Sequence, residues 1–269
     1  MAAHIPKLLS IAGSDPSGGA GVQGDLKTFS ALGCYGMAAV TALTAQNTRG
    51  VRLVHAVPAF VVAAQIDAIF ADIEVDAVKI GMLAEPAIAE AVADSLARVG
   101  ATRIVFDPVL ASTSGDSLSA AGLIAAAVAR VFPLAALVTP NLPEAAALLG
   151  AREATAPAQM VEQARALIGR GARAVLMKGG HLTGEPLDIL VEGEAIHEFH
   201  GRRIPTNNLH GTGCALSSAI AAHLARGAEL VAAIRAAKAY LEDALVAADA
   251  LALGSGRGPP HHLHSLWRG

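Results

Sequence analysis

The 269-residue sequence predicts a doubly wound α/β fold, a mainly parallel central sheet flanked by helices, in one domain over residues 1–269. Short apolar runs of strand length alternate with longer stretches whose apolar residues recur every three or four positions, the pattern of strand and crossover helix. Polar and glycine-rich groups follow directly on the apolar runs, where a parallel sheet collects its ligands. No repeat, low-complexity linker or composition break marks a second domain.

The first strand is predicted over Leu8–Ala12, followed by Gly13-Ser14-Asp15-Pro16-Ser17-Gly18-Gly19-Ala20-Gly21 and a helix opened by Asp25. A second strand, Ala38–Leu43, leads to Gln46-Asn47; a helix over Phe60–Ala71 precedes the strand Ala77–Ile80, which ends on Gly81-Met82. The helix Pro86–Val99 then feeds Arg103–Phe106, ending on Asp107-Pro108-Val109, and the helix Ala120–Val131 feeds Ala136–Thr139, ending on Pro140-Asn141-Leu142-Pro143-Glu144. The helix Gln159–Arg170 precedes the strand Ala174–Met177, whose end carries Lys178-Gly179-Gly180-His181. Ile189–Val191 and Ala195–Phe199 flank Glu192-Gly193-Glu194, which suits an edge hairpin rather than another crossover. Taken singly the strand-end groups have plain readings: Asp107 as a turn former, Asn141 and Glu144 as a helix cap, Met82 as core. Their shared location makes them one predicted crevice.

The run His210-Gly211-Thr212-Gly213-Cys214 opens an apolar helix, Ala215–Ala225. Bare amides in a glycine-rich first turn, with the positive end of the helix dipole, form a seat for phosphate or a developing oxyanion. A thiol beside that seat is either a catalytic group of lowered pKa or a small buried core residue. Gly19-Ala20-Gly21-Val22-Gln23-Gly24 matches a dinucleotide fingerprint, but the turn before it is too long and no acid stands where the ribose would need one. No Walker P-loop is present, so phosphoryl transfer would need another cradle, and the Gly211–Gly213 turn is the candidate.

With a formal net charge of −3 and no run of Lys or Arg, the chain is not expected to bind nucleic acid or an anionic membrane. The two cysteines, Cys34 and Cys214, suit a reducing cytoplasm better than a disulfide scaffold, and no segment reaches the length of a membrane span. His261, His262 and His264 lack companions at metal spacing, and Cys34 reads as a small apolar filler.

The blocks IAGSDPSGGAGVQGDLKTFSALGCYG, TALTAQNT, KIGMLAE, TPNLPEAAALLG, VLMKGGH, HGTGC and GRGPPHHLH resemble the hydroxymethylpyrimidine/phosphomethylpyrimidine kinases of thiamine biosynthesis, in the ribokinase-like superfamily. The resemblance implies ATP- and Mg²⁺-dependent phosphorylation of a hydroxymethylpyrimidine and then of its monophosphate, by a cytoplasmic homodimer. It implies that Gly13, Asp25, Gln46, Met82 and Val109 hold the pyrimidine, that Asp107, Asn141 and Glu144 form the Mg²⁺ region, and that Lys178 and Lys238 face phosphate. Gly211, Thr212 and Gly213 would stabilise charge on the transferring group, and Cys214 stands where related sugar kinases carry an aspartate base. Asp107–Leu118, rich in Ser and Gly, is the candidate lid. A pyridoxine or pyridoxal kinase of the same superfamily, or a noncatalytic nucleotide-binding protein, are the competing readings. If Cys214 is the base, Cys214→Ser should slow phosphorylation of the alcohol more than that of the monophosphate, whose acceptor oxygen is already ionised; equal losses in the two steady-state rates would argue against it.

Overall fold

A strand covered by helices on both faces must be apolar on both faces, and the central runs obey that demand. The computed structural model describes residues 4–110, 121–180, 182 and 184–267. Its strands are β1 (Lys7–Ser14), β2 (Tyr35–Asn47), β3 (Gly50–Ala56), β4 (Ala77–Ile80), β5 (Ile104–Phe106), β6 (Leu137–Val138), β7 (Ala174–Met177), β8 (Leu187–Glu192) and β9 (Ala195–His200). They form one sheet in the order β3-β2-β1-β4-β5-β6-β7-β8-β9. The segment from β2 to β7 is parallel throughout, whereas β3, β8 and β9 join antiparallel at the two edges. The chain leaves β1 first for β2 and then returns to set β4 on the other side of β1, which creates a switch point between β1 and β4.

The helices are α1 (Gly21–Ala31), α2 (Ala59–Phe70), α3 (Pro86–Arg98), α4 (Leu123–Ala126, continued by a π turn over Ala127–Val131), α5 (Leu142–Leu149), α6 (Pro157–Ile168), α7 (Thr212–Ala225) and α8 (Leu230–Val246). Alternation along each strand sorts the core into two layers. Leu9, Ile11, Val78 and Ile80 pack with Val62, Ile66, Ile88, Val92, Leu123, Leu142 and Met160 of α2 to α6. Leu8, Ala77, Val105 and Leu176 face Phe29, Ile220, Ile234 and Tyr240 of α1, α7 and α8. Each fully buried Val, Leu, Ile, Phe or Met among them contributes about 1.5–3 kcal/mol. Ala215, Ala219, Ala221 and Ala222 of α7 are completely covered, and such small residues let that helix press against the sheet beneath α1 and α8.

Two sequence expectations shift here. The strand expected to end at Leu43 runs on to Asn47 and folds back through Thr48-Arg49 into β3, so Gln46 sits on a hairpin arm rather than in a loop. Helix α1 opens at Gly21, not at Asp25, which lies one turn inside it. Of the candidate lid, residues 111–118 lie outside the described residues, as does His181.

The layer behind β1 and β4 is not wholly apolar. Lys79 points from β4 towards α1, where its ammonium meets both oxygens of Asp25 at 2.9 Å, and both side chains are completely buried. Ser10 of β1 and Ser218 of α7 donate to the same carboxylate at 2.6 and 2.7 Å. Burial alone would strip the Lys79 proton, but the adjacent Asp25 charge outweighs it and holds the ammonium above its ordinary pKa. Removing one partner leaves an uncompensated buried charge, so Asp25→Ala should lose about 3–5 kcal/mol in urea unfolding, and Asp25→Leu combined with Lys79→Met should recover most of it. An Asp25→Ala loss below about 1 kcal/mol would mean that water reaches the pair.

Candidate active site

Every parallel strand from β1 to β7 ends on the same side, so the groups that follow them meet. A cavity of about 920 Å³ is lined by Gly13, Gln46, Met82, Asp107, Val109, Asn141, Glu144, Lys178, Lys238 and the turn Gly211–Cys214. Of the predicted site residues, only Asp25 is not part of this lining. Its carboxylate is consumed by Ser10, Lys79 and Ser218, so it supports the floor and presents no acceptor to a ligand.

Gly211 caps α7 with φ 79°, a left-handed conformation that costs a side chain strain, and a Cβ there would stand 2.1 Å from the Gly19 carbonyl oxygen. That approach locks the entry of α7 against the loop after β1. Gly213 and Cys214 lie in the first turn, where no carbonyl of the same helix can accept from their N–H groups. A Cβ on Gly213 would sit 3.1 Å from the Lys178 Nζ and 3.5 Å from an Asp107 oxygen. The bare turn therefore faces a lysine and a carboxylate across a gap that glycine keeps open.

Lys178, at the end of β7, donates to Asp107 at 2.7 Å and lies 3.8 Å from Glu144. Thr139 also donates to Asp107, at 3.1 Å. Burial raises the Asp107 pKa, but the Lys178 and Lys79 charges dominate and hold it below the usual carboxylate range. Glu144 is pushed up to about 7 by burial, with the Asp107 charge adding to it and Lys178 opposing. Asn141 caps α5: its side chain accepts from the Glu144 N–H at 2.8 Å while Glu144 accepts from the Asn141 N–H at 2.7 Å. One lone pair of the Asn141 side-chain oxygen thus positions Glu144. Lys238 is no solvated surface residue; it pairs with Asp188, which also accepts from the Gly179 N–H at 2.9 Å.

Cys214 is partly buried at the junction of α7 with the start of α1. Of the two readings of Cys214, the one with a lowered thiol pKa is not favoured. Burial pushes it up to about 11, with the Asp25 and Asp107 carboxylates adding to the rise and only Lys79 and the Gly21 N–H opposing it.

Besides Asp188, the sequence reading assigned no role to Lys79, Asp15 or His210 of the site. Lys79 lines the cavity floor, while Asp15 and His210 pair on its wall at 2.8 Å. The Gln46 side chain stands 3.2 Å from the same His210 nitrogen. Asp15 and His210 are 195 positions apart, so the sequence places each at the crevice but gives no signal that they pair.

The model of the phosphomethylpyrimidine kinase family matches residues 15–261. The chain is 54% identical to the hydroxymethylpyrimidine/phosphomethylpyrimidine kinase of Rhizobium meliloti, over 97% of this chain and 98% of that protein. The crystal structure of phosphomethylpyrimidine kinase from Clostridium difficile is similar at a TM-score of 0.79 and 40% identity, covering 89% of this chain and 99% of that one. The pyridoxal kinase from Staphylococcus aureus in complex with AMP-PCP and pyridoxal superposes at a TM-score of 0.89 and 30% identity, over 98% and 96%.

Alkylation of Cys214 by iodoacetamide, followed by peptide mass spectrometry, should rise about tenfold per pH unit from pH 7 to 9.5 without levelling off, because only the thiolate reacts. A plateau reached by pH 8.5 would show that the helix N-termini outweigh burial.

Proposed function

Because the chain belongs to the phosphomethylpyrimidine kinase family, we propose that it transfers phosphate from ATP to 4-amino-5-hydroxymethyl-2-methylpyrimidine and then to the resulting monophosphate, yielding the diphosphate used for thiamine biosynthesis. The observation that carries this reading is one continuous cavity running from Gln46 to the amides at the head of α7, past Lys178 and Asp107.

Gln46 supplies a donor and an acceptor for the aminopyrimidine edge, while Met82 and Val109 supply apolar contact and Gly13 lets the ring approach the backbone. Lys178 and Lys238, each already beside a carboxylate, are the cations for the phosphate chain of ATP. The amides of Gly213 and Cys214 receive charge that builds on the transferring group. Phosphoryl transfer through a loose transition state asks mainly for alignment and neutralisation, so a thiol that stays protonated at neutral pH does not prevent the reaction.

Asp107 and Glu144 are the oxygen donors suited to Mg²⁺. Among the described residues no group of three or more His, Cys, Asp or Glu is gathered to hold a metal ion. A pair of carboxylates fits an ion that keeps several waters and takes its remaining ligands from substrate phosphates. Bound there, Mg²⁺ would neutralise phosphate charge and favour the ionised form of Glu144.

A homodimer is supported by the outer face of the β2–β3 arm, where Leu43, Leu53 and the adjacent Phe60 are 52%, 60% and 77% exposed. A single domain is supported by the one sheet that spans the chain, and a cytoplasmic location by the free thiols Cys34 and Cys214.

The test is a substrate panel with ATP and Mg²⁺, resolved by ³¹P NMR. The pyrimidine alcohol and its monophosphate should both be phosphorylated, with kcat/KM for pyridoxal at least about tenfold lower than for the alcohol. Turnover of pyridoxal alone would reverse the assignment.

A further inference from the structure

The polar wall around Gln46 contains a contradiction in donor directions that has one resolution. Asp15 accepts from the Ser17 N–H and hydroxyl at 2.9 and 2.7 Å and from the Gly19 and Ala20 N–H groups at 3.2 and 2.9 Å. Burial would raise its pKa, but hydrogen bonds from His210 and Ser17 bring it down to about 2, so it is a carboxylate. A carboxylate 2.8 Å from the His210 Nε2 demands that this nitrogen carry the hydrogen, whether the ring is neutral or cationic. Yet the amide nitrogen of Gln46 stands 3.2 Å from that same Nε2, donor against donor. At its other end the Gln46 oxygen competes with the Ser14 carbonyl for the one Thr44 hydroxyl hydrogen, at 3.2 against 2.9 Å, and if the nearer carbonyl takes it Thr44 Oγ1 meets the Gln46 oxygen as acceptor against acceptor. Turning the carboxamide over cures both faults. Its oxygen then shares the His210 Nε2–H with Asp15 in a three-centre bond, and its nitrogen donates to Thr44.

We propose that Asp15, through His210, together with Thr44, fixes the Gln46 carboxamide with its oxygen on the His210 side, and so determines which order of hydrogen-bonding groups a substrate ring must present. The inference rests on the pyrimidine reading of the cleft and deepens it. After these contacts Gln46 retains one N–H and one oxygen lone pair. An aminopyrimidine edge offers a ring-nitrogen acceptor beside an amine donor, which matches the pair in one direction only. The amine must face the oxygen end, next in the chain to Gly211, and the hydroxymethyl group on the neighbouring ring carbon is thereby directed towards the head of α7. A ring carrying a carbonyl in place of the amine presents the reversed order, a protonated ring nitrogen beside an acceptor, and meets like against like at both positions. Asp15, His210 and Thr44 are thus positioning residues that act through Gln46 to set specificity.

The experiment compares kcat/KM for the 4-amino substrate with that for its 4-oxo analogue, both bearing the same hydroxymethyl and methyl groups. The wild type should prefer the amine by at least about 10³-fold, since a site built for one hydrogen-bonding pattern rejects the other strongly. His210→Phe should shrink this ratio at least tenfold, mainly through gained activity on the oxo compound, because the amide is then free to turn. His210→Gln, which restores a donor, should recover the preference. Thr44→Val leaves the Asp15–His210 pair intact and should shift the ratio in the same direction by a smaller factor. A ratio within threefold of wild type in His210→Phe, or in Thr44→Val should the first not fold, overturns the lock. Failure of the wild type to phosphorylate the amine substrate at all would instead sink the pyrimidine reading.

Discussion

The cleft depends on a buried ion pair. Two charges withdrawn from water are tolerated only if each finds the other and the remaining oxygens find donors, and Lys79 and Asp25 meet both conditions through Ser10 and Ser218. Those four side chains come from β4, α1, β1 and α7, so the pair can exist only when both helices are seated on the sheet at the switch point. That requirement explains why α7, a helix with little polar surface to orient it, begins where it does. Its first turn opens onto the ends of the strands because Ser218, nearly two turns in, is held against Asp25. An apolar layer of equal area would hold α7 down just as firmly but would leave it freer to slide along its axis.

The same economy governs the charges that face the cavity. Lys178 and Lys238 rest against Asp107 and Asp188, so neither is an uncompensated cation waiting for phosphate. On the proposed reading, an arriving polyphosphate would share these lysines with their carboxylates, and a divalent cation would balance the carboxylates in turn. Glu144 would fit this arrangement: burial raises its pKa to about 7, so a cation held beside it would favour its ionised form. Cys214 stands on the other side of the balance. Lys79 and the Gly21 N–H at the start of α1 oppose the rise in its pKa, but burial and two nearby carboxylates prevail.

Much of this was legible before any coordinates. The parallel strands announced themselves as short runs of Val, Ile, Leu and Ala, because strands buried on both faces cannot alternate, and Ala174–Met177 falls on β7 to the residue. The edge strand β3 was missed because Val51-Arg52-Leu53-Val54-His55 is half-exposed and mixed in character, and only its pairing with β2 defines it. The rule that ligands gather at strand ends brought Met82, Asp107, Asn141, Glu144 and Lys178 together correctly. It could not tell which strand-end groups look outward. Asp25, one helical turn further on, is turned inward by partners 54 and 193 positions away, and nothing in the local sequence distinguishes a carboxylate that binds a substrate from one that binds the protein. The pairing of Asp15 with His210 is hidden for the same reason.

One cleft serving two successive acceptors imposes a further geometric condition. The alcohol and its monophosphate share a ring but differ in length by one phosphoryl group, so a single cradle cannot hold both rings and both reacting oxygens in identical places. If Gln46 fixes the ring, the added phosphate must occupy space between the ring and the head of α7, and the nucleotide must withdraw by the same amount. A cavity of about 920 Å³, near the upper end for small-molecule sites, has the room. On the proposed reading its polar groups suit this use, with Gln46 on the β2–β3 arm towards the ring and Lys178, just after β7, and Lys238 of α8 towards the phosphates. The ring end is rigid because its hydrogen bonds are directional and leave few alternatives. The phosphate end tolerates displacement because lysines and helix amides attract charge over a range of positions. A site rigid at one end and permissive at the other can run the same chemistry twice without rebuilding itself.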